Sequence, residues 1–470
     1  AALAWVAAAP LMVASRAQGP WRGALLGLVA GCGFHYGLLS WAGVFGVPAQ
    51  VALVLVKAFG MVLLGAVLGA CPCLRSPVYG ALFGACAWVG MEYFQMLGPF
   101  GTTCGMLSHS QARVLPLIQV GELVGPWGLS WVIALVNASV AEAFLLWRAR
   151  RPVAGVRWAA GLSLLMIVLL WGFGVLRLHR PWGQGPSVVW GVVQISMPQN
   201  ERWDPVFRET IMGRLESQTR QAAAAGARIV AWPETSIPYT AFLQTLALRL
   251  RVGGLAMSTG TWILAGSIEM ADQEPGATRN VASLIGPDGD VAETCDKIRL
   301  VPFGEYLPLP RAVRDWKVFD RVMRYLPGTR QVVFRAHHSP EVPFGVLICY
   351  ESMVPHEPRR KVELGAQVLT VITNDAWFEK SSAAMHHFEM AVMRAVEMRR
   401  PVVHCGNNGI SGFIDATGRV LKQSRLDEIV TLTETVRGET YRTLYSRIGD
   451  VFAYLCILAL GVLWKGARVR

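Results

Sequence analysis

Residues 345–351 read Gly-Val-Leu-Ile-Cys-Tyr-Glu, an apolar run of β-forming residues interrupted at its end by the cysteine Cys349. Two earlier positions carry other reactive groups: Glu234 closes the sequence Trp-Pro-Glu at 232–234, and an amine is present at Lys297. A carboxylate as base, an amine as oxyanion-stabilising group and a thiol as nucleophile together suggest an acyl-transfer site. The run therefore predicts a buried strand with a candidate nucleophile at its end.

Charged residues are divided unequally along the chain. Of 44 Lys and Arg and 32 Asp and Glu, residues 1–177 hold only ten and three. A membrane span needs about 20 mostly apolar residues. Six spans are predicted in this part, at 1–14, 22–41, 49–70, 78–97, 126–147 and 158–176. We expect 114–124 to be re-entrant or interfacial and 178–449 to form a water-solvated domain.

A further apolar stretch of 14 residues, 451–464, comes near the end of the chain. On length alone it fits a buried core helix as well as a span. The basic residues Lys465, Arg468 and Arg470 follow it directly. Because positive residues flank the cytoplasmic ends of spans, we predict that 450–470 is a last span with a cytoplasmic tail.

Arginines mark alternate connections between the predicted spans. They occur at Arg16 and Arg22, at Arg75, and four times between Arg148 and Arg157. Cytoplasmic connections carry the excess of Lys and Arg, so the large domain is predicted to lie on the opposite, outer side. The chain opens without Met and within an apolar run, which leads us to expect an absent preceding helix; a cleaved signal peptide is the alternative.

Nucleic-acid, metal and cofactor binding have little support in the sequence. The net charge of +12 comes from basic residues that are mixed with acids or clustered at membrane edges, so we predict no nucleic-acid partner. Cys71 and Cys73 share a short loop but lack the second pair of a metal site. The adjacent His386 and His387 would point about 100° apart on a helix. No phosphate or dinucleotide motif occurs, and we predict no metal and no cofactor.

Short β-rich runs alternate with helical stretches in the large domain, which argues for an α/β layered sandwich. The predicted helices are 207–226 and 383–399. Turn sequences at 287–290 and 415–418 predict two hairpins. The predicted strands are 187–195, 227–232, 262–270, 280–285, 343–349, 368–373, 402–405 and 410–414.

Each candidate residue has an ordinary interpretation when taken alone. A cysteine that ends an apolar strand is usually an inert core residue, Glu234 could be a loop acid, and Lys297 could be a surface lysine. As a set they have a chemical meaning: Cys349 as nucleophile, Glu234 as the base that takes its proton, and Lys297 as the cation that stabilises an oxyanion. Glu305 could hold Lys297 in place.

The order Glu, Lys, Cys resembles the nitrilase superfamily, and the chain as a whole is similar to its membrane branch, the apolipoprotein N-acyltransferases. The resemblance covers nearly the whole chain. Besides the apolar spans it is carried by Trp232-Pro233-Glu234, Lys297, Val301-Pro302-Phe303-Gly304-Glu305, Ile348-Cys349-Tyr350-Glu351, Thr373-Asn374-Asp375-Ala376-Trp377-Phe378, His387-Phe388, Arg394-Ala395-Val396-Glu397 and Asn407-Asn408-Gly409.

The resemblance implies a polytopic helical membrane domain joined to a nitrilase-like αββα sandwich that faces the periplasm from the bacterial inner membrane. It implies the catalytic roles given above for Glu234, Lys297 and Cys349. It also implies supporting roles for Glu305, Tyr350 and Glu351, and places Trp203 and Asn280 near the acyl pocket. The family usually has eight spans, whereas about seven are predicted here.

The implied reaction moves an acyl chain from a phospholipid, such as phosphatidylethanolamine, through a Cys349 thioester to the α-amine of the N-terminal diacylglyceryl-cysteine of an apolipoprotein. Two other functions stay open at this point. One is a membrane-tethered amidohydrolase with water as the second nucleophile. The other is a transporter or scaffold with an inactive enzyme fold, although only Lys57, Glu92, Glu122 and Glu142 offer intramembrane charges for a transport path.

The predicted orientation can be tested by cysteine labelling in intact cells. A cysteine introduced at Arg150 should resist a membrane-impermeant thiol reagent, because the arginine-rich connection is predicted to be cytoplasmic. A cysteine introduced at Asp288, in a turn of the outer domain, should react with the same reagent. Labelling of both positions from outside would show that the orientation is wrong.

Overall fold

A computed structural model describes residues 1–16, 18–71, 76–239, 241–271, 274, 276–308, 324–337, 341–378 and 381–468. Cys73, Arg75 and Arg470, which entered the sequence analysis, lie outside the described residues. The chain divides into two compact units. One unit combines Ala1–Arg180 with Thr443–Arg470, and the other is Pro181–Arg442.

The first unit is helical. Within the described residues, three helices are long and apolar enough to cross a membrane: Val47–Ala70, Pro126–Arg148 and Val156–His179. The expected span at 1–14 consists of two short helices in succession, and the stretch 114–124 of two single turns. The remaining helices of this unit are Ala4–Ala7, Ala9–Ser15, Pro20–Leu38, Pro77–Gln95, Leu115–Ile118, Gly121–Val124, Leu444–Ile448 and Val451–Arg468, with 3₁₀ turns at Ser40–Phe45, Leu107–Gln111 and Val153–Gly155.

Two sets of polar groups inside this unit are paired across helices. The Asn137 side chain accepts hydrogen bonds from the backbone N–H groups of Ala8 (2.8 Å) and Ala9 (3.0 Å), where the first helix is interrupted. Arg16 pairs with Glu142 at 2.5 Å. Such pairing is needed because an unsatisfied polar group in a lipid environment costs several kcal/mol.

Helices Pro20–Leu38 and Val47–Ala70 approach each other through glycines. A Cβ atom on Gly23 would lie 2.1 Å from the carbonyl oxygen of Gly65, and one on Gly27 would lie 2.1 Å from that of Met61. Glycines four residues apart form one stripe on a helix, and this stripe lets two backbones touch. Close packing of this kind replaces the hydrophobic driving force that is missing between helices in lipid.

The second unit contains two sheets. Its strands are β1 (Ser187–Gln194), β2 (Ile229–Ala231), β3 (Trp262–Met270), β4 (Thr278–Ile285), β5 (Val291–Asp296), β6 (Phe344–Ile348), β7 (Val368–Thr373), β8 (Val402–Gly406), β9 (Gly412–Ile414), β10 (Val420–Gln423) and β11 (Val430–Arg437). The strand orders are β11-β1-β2-β3-β4-β5 and β10-β9-β8-β7-β6. The central pairs β1-β2, β2-β3, β6-β7 and β7-β8 are parallel, and the outer pairs are antiparallel hairpins and edges.

The two sheets pack face to face over a buried apolar core, in which the Trp190 and Phe344 rings meet edge to face with centroids 4.9 Å apart. Helices cover the outer faces, so the layers are α-β-β-α and the predicted sandwich is confirmed. The helices of this unit are Gln199–Arg202, Arg208–Ala224, Leu246–Thr259, His356–Glu363 and Ala383–Met398, with 3₁₀ turns at Pro205–Phe207, Cys349–Met353 and Asp375–Phe378.

All eight predicted strands are present, and the two predicted hairpins join β4 to β5 and β9 to β10. The predicted hairpins implied β5 and β10 as second strands, although neither was among the eight predicted strands, and β11 was not predicted at all. This strand lies at an edge of its sheet and is half-exposed along most of its length, so its residues lack the apolar run that identified the central strands.

The glycine contact predicts a position-specific loss of stability. Gly27→Leu forces a side chain into the backbone of Val47–Ala70 and should lower the free energy of unfolding by about 1–3 kcal/mol, measured as a lower melting temperature in detergent. Gly33→Leu is the matched control, because a Cβ atom at Gly33 meets nothing within 4 Å. Equal melting temperatures for the two variants would contradict the close approach.

Candidate active site

The three predicted catalytic residues come together at one edge of the sandwich. Glu234 follows β2, Lys297 directly follows β5, and Cys349 directly follows β6. Their exposed fractions are 5%, 1% and 8%. Strands β2 and β6 belong to different sheets, so the site lies where the ends of the two sheets meet.

The centre of the site is a buried ammonium between two carboxylates. Lys297 Nζ donates to Glu234 Oε1 at 2.9 Å and to Glu305 Oε1 at 2.7 Å. Burial by itself would lower the pKa of Lys297, but the charges of Glu234 and Glu305 outweigh burial and raise this pKa well above its usual value. Lys297 is therefore a permanent cation, as an oxyanion-stabilising group must be.

The Glu234 carboxylate is held at both oxygens. Oε1 also accepts from the Asn280 amide at 2.7 Å, and Oε2 accepts from the backbone N–H of Asn374 at 2.9 Å. Three donors on one carboxylate fix its orientation and leave it little freedom to rotate. A base that must meet one particular thiol proton needs this fixed orientation.

Cys349 has a strained backbone. It begins a 3₁₀ turn with φ +51°, in the left-handed region that a non-glycine residue occupies at a cost of about 1–3 kcal/mol. Burial and then the negative charge of Glu234 raise the pKa of its thiol well above the usual value, although Lys297 acts in the opposite direction. The resting nucleophile is thus a neutral thiol that requires a base.

Glu351 joins the loops that carry Lys297 and Cys349. Its Oε1 accepts from the backbone N–H of Ile298 at 2.7 Å, and its Oε2 accepts from that of Ile348 at 2.8 Å. Both donors are direct chain neighbours of the predicted catalytic residues. One buried carboxylate therefore sets the separation between the amine and the thiol.

The remaining predicted residues differ in how closely they approach this cluster. Glu305 is in the cluster and also accepts from the backbone N–H of Val301 at 2.7 Å. Asn280 is in it too, since its amide contacts both Glu234 and, at 3.3 Å, Glu305. Tyr350 is half-buried beside Cys349. Trp203 is 36% exposed, and its ring contacts the Arg202 guanidinium at 5.7 Å.

Three residues of the cluster were not among the predicted site residues. Arg202 is buried and donates to the backbone carbonyls of Glu234 and Thr235. Tyr325 is buried, and the charges of Glu305 and Glu234 add to burial in raising its pKa. Asn374 follows β7 directly, and this position at a strand end was the signal that could have identified it. Arg202 and Tyr325 have no comparable local signal.

Family models match both parts of the chain: residues 1–139 match the apolipoprotein N-acyltransferase N-terminal domain, and residues 191–445 match carbon-nitrogen hydrolase. An apolipoprotein N-acyltransferase of Geobacter metallireducens is 33% identical over 98% of this chain and 90% of its own length. The chain belongs to the apolipoprotein N-acyltransferase family. The predicted resemblance is confirmed, and with its apolar helices the chain is a membrane protein.

Other relatives are more distant. An apolipoprotein N-acyltransferase of Chlorobaculum tepidum is 28% identical over 82% of this chain and 76% of its own length. Among solved structures, Saccharomyces cerevisiae Nit3, a member of branch 10 of the nitrilase superfamily, matches 53% of this chain and 90% of its own with 15% identity and a TM-score of 0.43.

The electrostatics of Cys349 predict a variant in which the thiol ionises more easily although activity is lost. Glu234→Gln removes the negative charge that raises the thiol pKa, so the pH profile of Cys349 alkylation by iodoacetamide should shift to lower pH while acyl transfer is lost. Intact-mass analysis of alkylation against pH measures the shift. Glu293→Gln, which removes a surface carboxylate paired with Arg330, should leave the profile in place. An unshifted Glu234→Gln profile would show that the thiol does not sense this carboxylate.

Proposed function

We propose that this protein transfers an acyl chain from a phospholipid, through a thioester on Cys349, to the α-amine of the N-terminal diacylglyceryl-cysteine of a lipoprotein. The observation that carries the proposal is the Glu234–Lys297–Glu305 cluster beside a neutral buried thiol, in a chain that also has membrane helices. The family supports both the enzyme class and the acceptor class. Phosphatidylethanolamine is the donor we propose.

The first half-reaction forms the thioester. Glu234 takes the proton of the Cys349 thiol as sulfur attacks the carbonyl carbon of the phospholipid ester. The carbonyl oxygen becomes an oxyanion that Lys297 stabilises. When the tetrahedral intermediate collapses, the ester C–O bond breaks, Glu234 returns its proton to the leaving oxygen, and a lysophospholipid departs.

The second carboxylate, that of Glu305, has a defined part in these reaction steps. Once Glu234 is protonated it no longer neutralises the ammonium, and Lys297 retains only Glu305 as counterion. The Lys297 charge is then free to interact with the oxyanion at the moment when the oxyanion forms. Two carboxylates on one amine thus keep Lys297 charged at rest and make it available during the reaction.

The second half-reaction discharges the thioester. The lipoprotein α-amine loses a proton to Glu234 and attacks the thioester carbonyl, and Lys297 again stabilises the oxyanion. The C–S bond breaks, Cys349 regains a proton from Glu234, and the product is an amide. Because both substrates are lipids, a membrane unit joined to the enzyme unit gives them a common phase from which to reach the site.

The proposed arrangement in the cell follows from the sequence. Residues 1–177 would hold the first spans, 178–449 the catalytic domain in the periplasm, and 450–470 the last span with its cytoplasmic tail, all in the inner membrane of a bacterium. The positive-inside distribution of arginines supports this orientation. In this proposed orientation the site lies on the side of the membrane to which lipoproteins are exported.

A thioester mechanism predicts a stalled enzyme. Incubation with phospholipid alone should release about one lysophospholipid per enzyme and leave an acyl adduct on Cys349, detectable by intact mass, because discharge needs the second substrate. Addition of a diacylated lipopeptide with a free α-amine should discharge the adduct. A two-substrate kinetic series should give parallel double-reciprocal lines.

Two controls distinguish this outcome from hydrolysis. Cys349→Ala should give no adduct and no lysophospholipid. An N-acetylated lipopeptide should bind but fail to discharge the wild-type adduct. Continuous release of lysophospholipid and fatty acid without lipopeptide would identify a hydrolase and would show that the proposed function is wrong.

A further inference from the structure

The strained backbone at Cys349 requires something to hold it, and the structure contains a buried chain of side chains that does so. Ser352 Oγ donates to the carbonyl oxygen of Cys349 at 2.9 Å. Ser352 Oγ also lies 2.7 Å from His387 Nε2, and His387 Nδ1 lies 3.0 Å from Asp375 Oδ1. The four residues therefore form one continuous hydrogen-bonded chain that ends at the candidate nucleophile.

The protonation of His387 depends on where the single Ser352 hydrogen goes, because Ser352 Oγ has both the Cys349 carbonyl and His387 Nε2 as neighbours. If this hydrogen goes to the Cys349 carbonyl, which can only accept, the hydrogen between Ser352 and His387 comes from Nε2. The Asp375 carboxylate accepts at the other end, so Nδ1 must also carry a hydrogen. In this arrangement His387 is doubly protonated and forms a buried ion pair with Asp375.

The surroundings match this charge assignment. Burial by itself would raise the pKa of Asp375, but the charge and hydrogen bond of His387 outweigh it and hold the pKa below its usual range. His404 packs edge to face against His387 with centroids 5.2 Å apart. Burial, and then the charge of His387, lower the pKa of His404 to about 3, so His404 is neutral.

The arrangement of serine, histidine and aspartate is that of a hydrolytic triad, but here the serine is closed to substrate. The exposed fractions of Ser352, His387 and Asp375 are 0%, 0% and 1%. A substrate carbonyl cannot reach a serine that is sealed in this way. The serine hydrogen is also directed at the Cys349 carbonyl, so the chain serves position and not nucleophilic attack.

The chain also reaches the proposed base. Asp375 directly follows Asn374, whose backbone N–H binds Glu234 Oε2 at 2.9 Å. The Thr373 hydroxyl donates to Asp375 Oδ1 at 2.9 Å. Helix Ala383–Met398, which carries His387, therefore fixes the ends of β6 and β7 relative to each other, and with them the thiol and the base.

We infer that Asp375, His387 and Ser352 form a positioning relay, in which a doubly protonated His387 holds the Cys349 turn in its left-handed conformation so that the thiol faces Glu234. The inference rests on the proposed role of Cys349 as nucleophile. None of the three relay residues contacts the reacting atoms. Their effect should therefore appear in the rate of thioester formation and not in binding of the acceptor.

The kinetic test uses Ser352→Ala and Ser352→Thr. The alanine variant should form the thioester about 10- to 100-fold more slowly, the range expected when a reacting group is misplaced by a fraction of an ångström to one ångström. Its kcat/KM for lipopeptide should be unchanged, because in a two-step exchange this ratio depends only on the second half-reaction. The threonine variant, which keeps the hydroxyl, should recover most of the rate. The nitrophenol burst from p-nitrophenyl butyrate measures thioester formation without phospholipid or lipopeptide, so a failed relay and a failed proposed function give different results.

Ser446→Ala is the matched control. Ser446 is also fully buried, and its Oγ donates at 2.8 Å to the carbonyl of Thr443, three residues earlier, as Ser352 does to Cys349. This variant should keep the wild-type burst rate. A wild-type rate for Ser352→Ala, or an equal loss in both alanine variants, would overturn the relay.

A second measurement needs no variant of the relay serine. In wild-type protein with ¹⁵N-labelled histidine, the signals that disappear in His387→Gln should show a directly bonded proton on both ring nitrogens. This result is expected only if the serine donates to Cys349. A neutral His387 ring with one protonated nitrogen would overturn the inference, even if Ser352→Ala failed to fold.

Discussion

The contact between the Lys297 ammonium and the Glu234 and Glu305 carboxylates is the constraint on which the rest of the site depends. Three charged groups buried together would be strongly destabilising if any one lost its partners. The surrounding donors offset that penalty. Asn280 donates to the Glu234 oxygen that Lys297 also binds, and the backbone N–H groups of Asn374 and Val301 bind the second oxygens of Glu234 and Glu305. The same contacts that make burial tolerable also fix the geometry that acyl transfer requires.

The second constraint is the backbone conformation at the ends of the strands. Cys349 is held in a strained conformation, and Glu351 spans the short distance between its loop and that of Lys297. Strain at a nucleophile persists only where neighbouring structure over-determines it. Here the carboxylate of Glu351 and the hydroxyl of Ser352 bind backbone groups of the same turn, which restricts the backbone that carries the thiol.

The membrane unit is organised by different forces. Between its helices there is no gain from excluding water, so glycine stripes and satisfied polar groups provide the association. Gly23 and Gly65 place two backbones in contact, and Asn137 binds the N–H groups exposed at a helix interruption. These devices give a stable unit whose outer surface can stay apolar, as a protein with lipid substrates needs.

The sequence by itself determined the apolar helices and the central strands, because periodicity is a local property. It pointed to Glu234, Lys297 and Cys349 through their strand-end positions and the family resemblance, and the structure brings these three side chains together. The sequence also predicted that Glu305 could hold Lys297 in place, and the two side chains are in contact. This contact was predictable because the two residues are close along the chain. Tertiary structure alone decided that Arg202 supports the Glu234 turn, that Glu351 binds the loop of Lys297, and that His387 reaches Ser352. Those contacts join residues from 32 to 53 positions apart. No local pattern encodes them, because they depend on how the ends of two sheets meet.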